Sequence, residues 1–358
     1  MELSDVVTGP AKTTATRQAI VLTPELPGAK PTLKTISRLS GLAVPTVSRA
    51  LSDAPDIGAE TKKLVRRIAD EIGYVPNRAG VRLRTGRTNV ISLVLSTEHD
   101  MMNHTARLIS SLAGALRDTP YHLIMTPYFP GEDALKPIRY IVESGSADAV
   151  IFNQTQPQDP RVAYLMERRF PFATHGRTDW ADRHAWFDFD NTAFAQMGVR
   201  ALAAKGRRHV LLVAPPMLQT YAQHIVTGAQ ATAAALDVRL TLCDSFTSDS
   251  GSTVIQAGAT QTLADDPGID AVICSSTTAA MAIVGALESN GRRLGQDIDV
   301  FTKEAIPFLN LFRPQIMALF EDVSRAGEFL ARAAIQATRD PDLPPLQGLD
   351  VPRDLGRV

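Results

Sequence analysis

From Asn89 to the end of the chain, short apolar runs alternate with longer amphipathic segments of helical period. The apolar runs lie at residues 90–95, 122–125, 149–152, 170–174, 186–189, 210–213, 272–274 and 300–301. The amphipathic segments include residues 107–117, 192–205, 225–236 and 278–290. Strands that alternate with helices form parallel sheets covered on both faces. The pattern therefore predicts an α/β core of two doubly wound subdomains, with any ligand at the carboxyl ends of the strands.

Three short helical patterns precede this core. In the first, Leu33, Ile36 and Leu39 recur at a spacing of three and end at Gly41, a residue that suits a tight turn. The apolar stripe of the second pattern consists of Val44, Val47, Ala50 and Leu51. The third pattern runs over residues 59–72 and ends at Gly73. Two helices joined by a short turn and supported by a third predict a helix-turn-helix.

The charge of the chain is divided unevenly. The formal net charge is −1, but residues 30–88 contain twelve basic and five acidic side chains, which leaves −8 for the remainder. Such asymmetry is typical of a protein in which one module faces nucleic-acid phosphates. A solvated basic surface is the alternative, and charge alone does not separate the two.

The ends of the chain and its cysteines limit the other possibilities. Residues 1–29 hold no apolar core of a signal peptide, and no later run approaches the roughly 18 apolar residues of a membrane span. We therefore expect a flexible leader at 1–29, a cytoplasmic protein and no membrane partner. Cys243 and Cys274 are far apart and lack further ligand pairs, so they support neither a zinc site nor a disulfide framework.

Enzyme motifs are also missing from the sequence. It contains no glycine-rich phosphate loop, no GxSxG elbow and no HExxH helix, and its seven histidines are scattered. We therefore predict no catalytic residues, no cofactor and no metal.

Two motifs identify a resemblance. Residues 46–51 read Thr-Val-Ser-Arg-Ala-Leu, and residues 73–78 read Gly-Tyr-Val-Pro-Asn-Arg. This pair resembles the lactose repressor family of transcriptional regulators, without gaps over residues 33–83 and more loosely to about residue 352. The resemblance implies a homodimer that binds double-stranded operator DNA. It also implies a helix-turn-helix domain at 30–76, a hinge helix and linker at 77–88, and a periplasmic-binding-protein-like effector core at 89–358.

The resemblance places the second helix in the major groove of DNA. Arg49 is then the best base reader, because its planar guanidinium can bind guanine O6 and N7 together. Thr35, Thr46 and Ser48 are expected to hold phosphates. Val44 and Pro45 depart from the polar pair that is common in the family and are expected to contact thymine methyl groups, so the operator should differ from better-known ones.

Hinge residues are implied in the same way. Asn77, Arg78 and Gly80 fall in a segment that resembles the hinge helix, which forms when two copies meet in the minor groove. Leu83 stands where the family has a leucine wedge between base steps. A linker leucine that contacts the second copy is the alternative for Leu83.

An effector site is expected from polar residues that follow the predicted strands or begin helices. These residues are Ser96, Asn153, Arg177, Asp190, Tyr221, Gln223, His224, Lys303 and Glu304. Arg177 and Asp190 are the strongest candidates. Phe152, Trp180 and Trp186 are, with Tyr221, candidates for stacking against a sugar ring. Lys303 can either pair with Asp190 or meet an anionic group of the ligand, and the sequence does not decide which.

The sequence thus predicts a transcriptional regulator, most simply a repressor, whose operator affinity is controlled by a sugar or sugar derivative. Induction and co-repression use the same parts and remain open. An activator, or a sugar-binding protein without a role on DNA, is the alternative function.

Overall fold

The structure, a computed structural model, describes residues 30–75, 80, 82, 86–97, 104–129 and 131–352. The chain divides into two compact units, a head and a core. The expected leader at 1–29 lies outside the described residues, as do Asn77, Arg78 and Leu83 of the expected hinge.

Three helices form the head. They are α1 (Leu33–Ser40), α2 (Val44–Leu51) and α3 (Ala59–Glu71). A capping box starts α1, since the Thr32 hydroxyl accepts the Thr35 N–H and the Thr35 hydroxyl accepts the Thr32 N–H. Gly41 ends α1 with a φ of 72°, a left-handed conformation that glycine adopts without steric cost. The predicted helix-turn-helix is confirmed.

The head has a small apolar core that all three helices share. Its fully or largely buried members are Ile36, Val47, Ala50, Val65, Ile68 and Ala69. In α2 the predicted stripe faces this core, with Val47 and Ala50 buried and Val44 and Leu51 partly buried. On the opposite face of α2, Pro45 and Arg49 are exposed.

Six parallel strands form the first sheet of the core. In chain order they are β1 (Val90–Ser96), β2 (His122–Tyr128), β3 (Ala149–Asn153), β4 (Phe172–His175), β5 (Ala185–Phe189) and β11 (Gln347–Asp350). The spatial order is β11-β5-β4-β3-β1-β2, and every neighbouring pair is parallel. The helices of this half are α4 (His104–Ala115), α5 (Leu135–Ser144), α6 (Pro160–Glu167) and α12 (Val323–Arg339), with a 3-10 turn at Ala181–Arg183.

Five parallel strands form the second sheet. They are β6 (His209–Val213), β7 (Arg239–Leu242), β8 (Ala271–Cys274), β9 (Asp299–Glu304) and β10 (Met317–Phe320), in the spatial order β10-β9-β8-β6-β7. The helices of this half are α7 (Asn191–Ala204), α8 (Thr220–Ala235), α9 (Ser252–Asp265), α10 (Thr277–Ser289) and α11 (Leu309–Phe312).

The strand order decides where a ligand can bind. In each sheet the order reverses beside the first strand, between β1 and β3 and between β6 and β8. At such a switch point the adjacent connections leave in opposite directions and open a crevice at the carboxyl ends of the strands. The chain passes from β5 into α7 and returns from β10 into α12, which packs on the first sheet. Both passages start at carboxyl ends, so the crevices of the two sheets share one region.

All eight predicted apolar runs coincide with strands, and the predicted fold class is confirmed. Three strands, β7, β10 and β11, had no matching run, and each lies at the edge of its sheet. An edge strand is covered less completely, so its residues need not be apolar; β7 and β11 are mostly exposed or half-buried.

Candidate functional site

A cavity of about 430 Å³ lies at the carboxyl ends of both sheets. The first sheet contributes residues at the ends of β1, β3, β4 and β5, and the second contributes residues that end or follow β8, β9 and β10. The segments that enter α9 and α10, together with residues of α4, α7 and α8, complete the wall. The cavity is therefore at the position that the strand order dictates.

Nine hydroxyl side chains line the cavity, seven of them from segments that follow β7 and β8. The lining serines and threonines are Ser96, Thr105, Ser248, Ser250, Ser252, Ser275, Ser276, Thr277 and Thr278. Hydrogen bonds hold three of these groups in place: the Ser276 hydroxyl accepts the Ala279 N–H at 3.1 Å as the N-cap of α10, and the Ser248 and Ser275 hydroxyls lie 2.5 Å apart. A hydroxyl can both donate and accept, but Ser276 already donates its single proton to the Ser248 carbonyl at 3.1 Å.

Lys303 is a fixed cation in the cavity wall. Its ammonium lies 2.8 Å from Glu321 Oε2 and donates to Asn191 Oδ1 at 3.0 Å. It also lies over three rings, those of Phe189, Phe194 and Tyr221, at 4.9 to 5.9 Å from their centroids. The sequence left its partner open between Asp190 and a ligand, and the structure pairs it with Glu321.

A second ion pair stands behind the wall. Arg177 Nε donates to Asp188 Oδ2 at 2.8 Å, and Asp188 lines the cavity while Arg177 does not. Burial raises the pKa of Asp188 to about 6, although the Arg177 guanidinium acts in the opposite direction. Asp188 therefore titrates close to neutral pH.

Two imidazole rings and a carboxylate meet at one point of the wall. The rings of His104 and His175 are stacked with centroids 5.2 Å apart, and His104 Nε2 lies 3.2 Å from Glu321 Oε1. Burial, with the neighbouring His104, lowers the pKa of His175 to about 3. Burial opposes the charge of Glu321, but Lys303 and His104 outweigh it and hold the pKa of that carboxyl well below its usual range.

Five of the predicted effector residues line the cavity: Ser96, Asn153, Tyr221, Lys303 and Glu304. Tyr221 is held by a 2.9 Å hydrogen bond from its hydroxyl to Asp249 Oδ2. Glu304 is partly committed elsewhere, since its Oε2 accepts the N–H groups of Phe308 and Leu309.

The other four predicted effector residues are not among the lining residues. Besides Arg177, they are Asp190, Gln223 and His224. Asp190 caps α7 by accepting the Ala193 N–H, and Gln223 is exposed and donates to the Met217 carbonyl. Of the proposed stacking residues, Tyr221 lines the cavity, whereas Phe152, Trp180 and Trp186 do not.

Several lining residues were not among the sequence candidates. They include His104, His175, Asp188, Asn191, Asp249, Glu321 and the hydroxyl residues after β7 and β8. Ser275 to Thr278 directly follow the predicted run at 272–274, so the signal was present in the sequence. Glu321 follows the edge strand β10, which was not predicted because no apolar run marks it in the sequence.

The head presents the predicted base reader at its surface. Arg49 is 57% exposed, and its Nη2 lies 2.6 Å from Asp56 Oδ1 in the loop after α2. Pro45 is exposed, and Val44, Thr46 and Ser48 are half-buried on α2. Ala43, at the N-cap of α2, makes no side-chain capping bond.

Two further predicted DNA contacts can be located. Thr35 is buried and belongs to the capping box of α1, so its hydroxyl already serves the helix terminus. Gly80 is exposed and in helical conformation. The DNA contacts of Thr35 and Gly80 stay predictions.

Two family models match the chain. Residues 89–328 match the model described as periplasmic binding proteins and sugar binding domain of LacI family, and residues 32–77 match the model of bacterial regulatory proteins, lacI family. The chain belongs to the LacI family of bacterial regulatory proteins. It is thus a transcriptional regulator with a DNA-binding head, as the sequence predicted.

Individual relatives agree with LacI-family membership. The HTH-type transcriptional regulator AglR of Rhizobium meliloti (strain 1021) is 30% identical over 310 residues, which cover 85% of each chain. A structure of the CelR–cellobiose complex has a TM-score of 0.64 at 21% identity and covers 90% of this chain and 98% of that one. The lac repressor dimer bound to operator and the anti-inducer ONPF has a TM-score of 0.76 at 17% identity, over 90% and 97%.

The named LacI-family relatives are transcriptional regulators, not enzymes. Within the part of the chain that the structure describes, no helix is both long and apolar enough to span a bilayer.

Proposed function

We propose that this LacI-family protein is a homodimeric repressor whose operator affinity is set by an uncharged carbohydrate bound in the cavity. The observation that carries the proposal is the cavity wall, which combines nine hydroxyl side chains with charged groups that already have partners. The 430 Å³ of the cavity falls within the roughly 300 to 1,000 Å³ of small-molecule sites.

Carbohydrates fit this chemistry. Their many hydroxyl groups need partners that both donate and accept, which serine, threonine and asparagine side chains supply. Asn153 lies at the end of β3 on one side, and the hydroxyl of Thr277 lies at the start of α10 on the other. The Tyr221 ring adds an apolar face. The solved relative CelR holds cellobiose, which supports a disaccharide as the ligand class.

The charges of the wall favour an uncharged ligand. Four lining carboxylates, those of Asp188, Asp249, Glu304 and Glu321, face one lining lysine, Lys303. Since Lys303 pairs with Glu321, an anionic sugar would meet excess negative charge without a free lysine or arginine among the described lining residues. Sugar phosphates and sugar acids should therefore bind poorly.

The DNA-binding part of the proposal rests on the head. Arg49 is exposed on α2 and reads guanine, Val44 and Pro45 contact thymine methyl groups, and Thr35, Thr46 and Ser48 contact phosphates. Asn77, Arg78, Gly80 and Leu83 belong to a hinge at 77–88 that joins the head at 30–76 to the core at 89–358. The protein acts in the cytoplasm, where its operator is.

The mechanism follows from the position of the cavity. A carbohydrate that contacts both sheets stabilises one angle between the two halves of the core, and that angle sets the spacing of the paired hinge helices. Coupling of this kind is typically about 1–3 kcal/mol, or about 5- to 150-fold in operator affinity.

The test starts from an operator selected from random duplexes with the full-length protein. Thermal unfolding is then measured with maltose, cellobiose and sucrose, and with glucose 6-phosphate and gluconate as charged counterparts. We expect a neutral disaccharide to raise Tm and to change operator affinity at least about fivefold. Arg49→Ala should lose the operator but keep the sugar response.

Two results would contradict the proposal. A shift in Tm with the charged compounds alone would exclude an uncharged effector. Failure of every selected duplex to be bound more tightly than random DNA would exclude the regulatory role on DNA.

A further inference from the structure

His104, His175 and Glu321 form a cluster that the carbohydrate proposal does not require. They come from three separate elements: His104 begins α4, His175 ends β4, and Glu321 directly follows β10. All three line the cavity, and one ligand atom of each lies within 4.8 Å of the other two. The fold thus brings together donors that are more than 70 and 140 residues apart in the sequence.

The distances suit a metal ion. Bonds of about 2.0–2.2 Å to nitrogen and oxygen at tetrahedral angles place neighbouring ligand atoms about 3.3 Å apart. His104 Nε2 and Glu321 Oε1 are 3.2 Å apart. A ring nitrogen of His175 completes a set of three ligand atoms within 4.8 Å of one another, and binding a metal requires this ring to turn out of its stack on His104.

A second group of contacts holds the carboxylate in place. Lys303 pairs with Oε2 of Glu321 at 2.8 Å and leaves Oε1 on the side of His104. Asn191 in turn accepts a hydrogen bond from Lys303. Carboxylates that bind metals are commonly oriented by such outer hydrogen bonds.

We propose that His104, His175 and Glu321 bind a divalent transition-metal ion, of which Zn²⁺ is the best match. Two imidazoles and a carboxylate favour Zn²⁺, Co²⁺ or Ni²⁺ over Mg²⁺ and Ca²⁺, which prefer oxygen ligands. The remaining coordination positions face the cavity, where water or a ligand hydroxyl completes the shell. The sequence predicted no metal, because the histidines are scattered along it.

Co²⁺ is the probe for the test, since its visible absorption reports coordination geometry. Full-length protein freed of metal with EDTA is titrated with Co²⁺ at neutral pH, and Zn²⁺ is then added. We expect saturation at one Co²⁺ per chain, a four- or five-coordinate spectrum, and displacement by Zn²⁺. Mg²⁺ should not displace the cobalt.

Variants decide whether the named residues are the ligands. His104→Ala and Glu321→Gln should each weaken Co²⁺ binding by at least about tenfold. His122→Ala is the matched control, because His122 is exposed on the edge strand β2 and does not line the cavity, and it should bind Co²⁺ like the parent. Circular dichroism monitors folding, and the His104 side chain, 39% exposed, is the safer of the two substitutions.

An absent cobalt spectrum in the parent protein overturns the proposal. So does equal binding by the parent and by folded His104→Ala. The titration uses neither carbohydrate nor DNA, so its failure leaves the proposed regulatory function untouched.

Discussion

At the scale of single residues, the structure adds an ion pair to what the sequence motif shows of Arg49. Its position on α2 agrees with a base reader, but its guanidinium pairs with Asp56, seven residues away in the loop. Both side chains are about half exposed, so the pair contributes little to stability. The pair holds the guanidinium beside the loop that follows α2.

The substitution Arg49→Lys tests whether Arg49 contacts a base. Lysine keeps the charge but lacks the planar fork, so discrimination against the wrong base should fall by about 1–3 kcal/mol, roughly 5- to 150-fold, at one G·C pair. Affinities for operators changed one base pair at a time give the measurement. Arg67→Lys on α3, where Arg67 is 69% exposed, is the control. Uniform weakening across all sequences would show that Arg49 contacts phosphate instead.

Asp188 gives a prediction on pH. Its pKa is raised from 3.8 to about 6 by burial, so between these values the folded state holds a proton that the unfolded state has lost. The contribution of Asp188 to the free energy of unfolding is therefore full below pH 4 and falls as pH rises through 6, by at most about 1.4 kcal/mol per pH unit. Urea unfolding of Asp188→Asn between pH 4 and pH 7 should lack this decline. Parallel curves for the parent and the variant would contradict the assignment.

At the scale of elements, Gly228 determines how closely α7 and α8 pack. A Cβ at this position would lie 2.6 Å from the Thr192 carbonyl oxygen, a backbone atom that cannot move away cheaply. Gly228→Ala should therefore lower the free energy of unfolding by about 1–3 kcal/mol. Gly114→Ala in α4 is the control, because open space surrounds it and alanine stabilises a helix by about 0.5–1 kcal/mol. Equal effects of the two changes would show that the close approach is unimportant.

A substitution at the start of α2 should raise the stability of the protein rather than lower it. Ala43 occupies the N-cap with extended backbone and no capping side chain. Ala43→Ser should stabilise the helix by about 1 kcal/mol, since its hydroxyl can accept an N–H of the first turn. Hydrogen exchange of the α2 amides in the full-length chain measures this. Ala43→Val adds bulk without an acceptor and should give no protection.

At the scale of the whole molecule, the cavity lies between the two sheets. Its lining residues differ from the effector contacts that the sequence predicts, and the two sets can be compared by mutation. Asn153 lines the cavity and Gln223 does not, although the sequence proposed both as effector contacts. Loss of one polar contact costs about 1.4 kcal/mol, so Asn153→Ala should raise the Kd of the carbohydrate about tenfold. Gln223→Ala should change it less than about twofold. Isothermal titration with the disaccharide that raises Tm decides, and the reverse order would favour the sequence interpretation.

The sequence by itself determined the helices and strands whose formation depends on the pattern of neighbouring residues. The pattern of apolar residues defined α1 to α3 and eight of the eleven described strands, and the Thr46 to Leu51 motif placed Arg49 on α2. Seven of these eight strands lie inside a sheet, where burial on both faces forces them to be apolar. The eighth, β2, lies at an edge and is exposed or half-buried, but it still begins with an apolar run. The edge strands β7, β10 and β11 lacked that constraint and could not be recognised.

Only the tertiary structure decided which polar residues meet. The partner of Lys303 is Glu321, and His104 lies beside His175, because parallel strands bring distant carboxyl ends to one edge. Strand order and the two passages between the sheets set these distances, and neither is encoded in the residues beside a strand end. Polarity after a strand is a local signal, whereas the identity of a contact partner is a property of the whole fold.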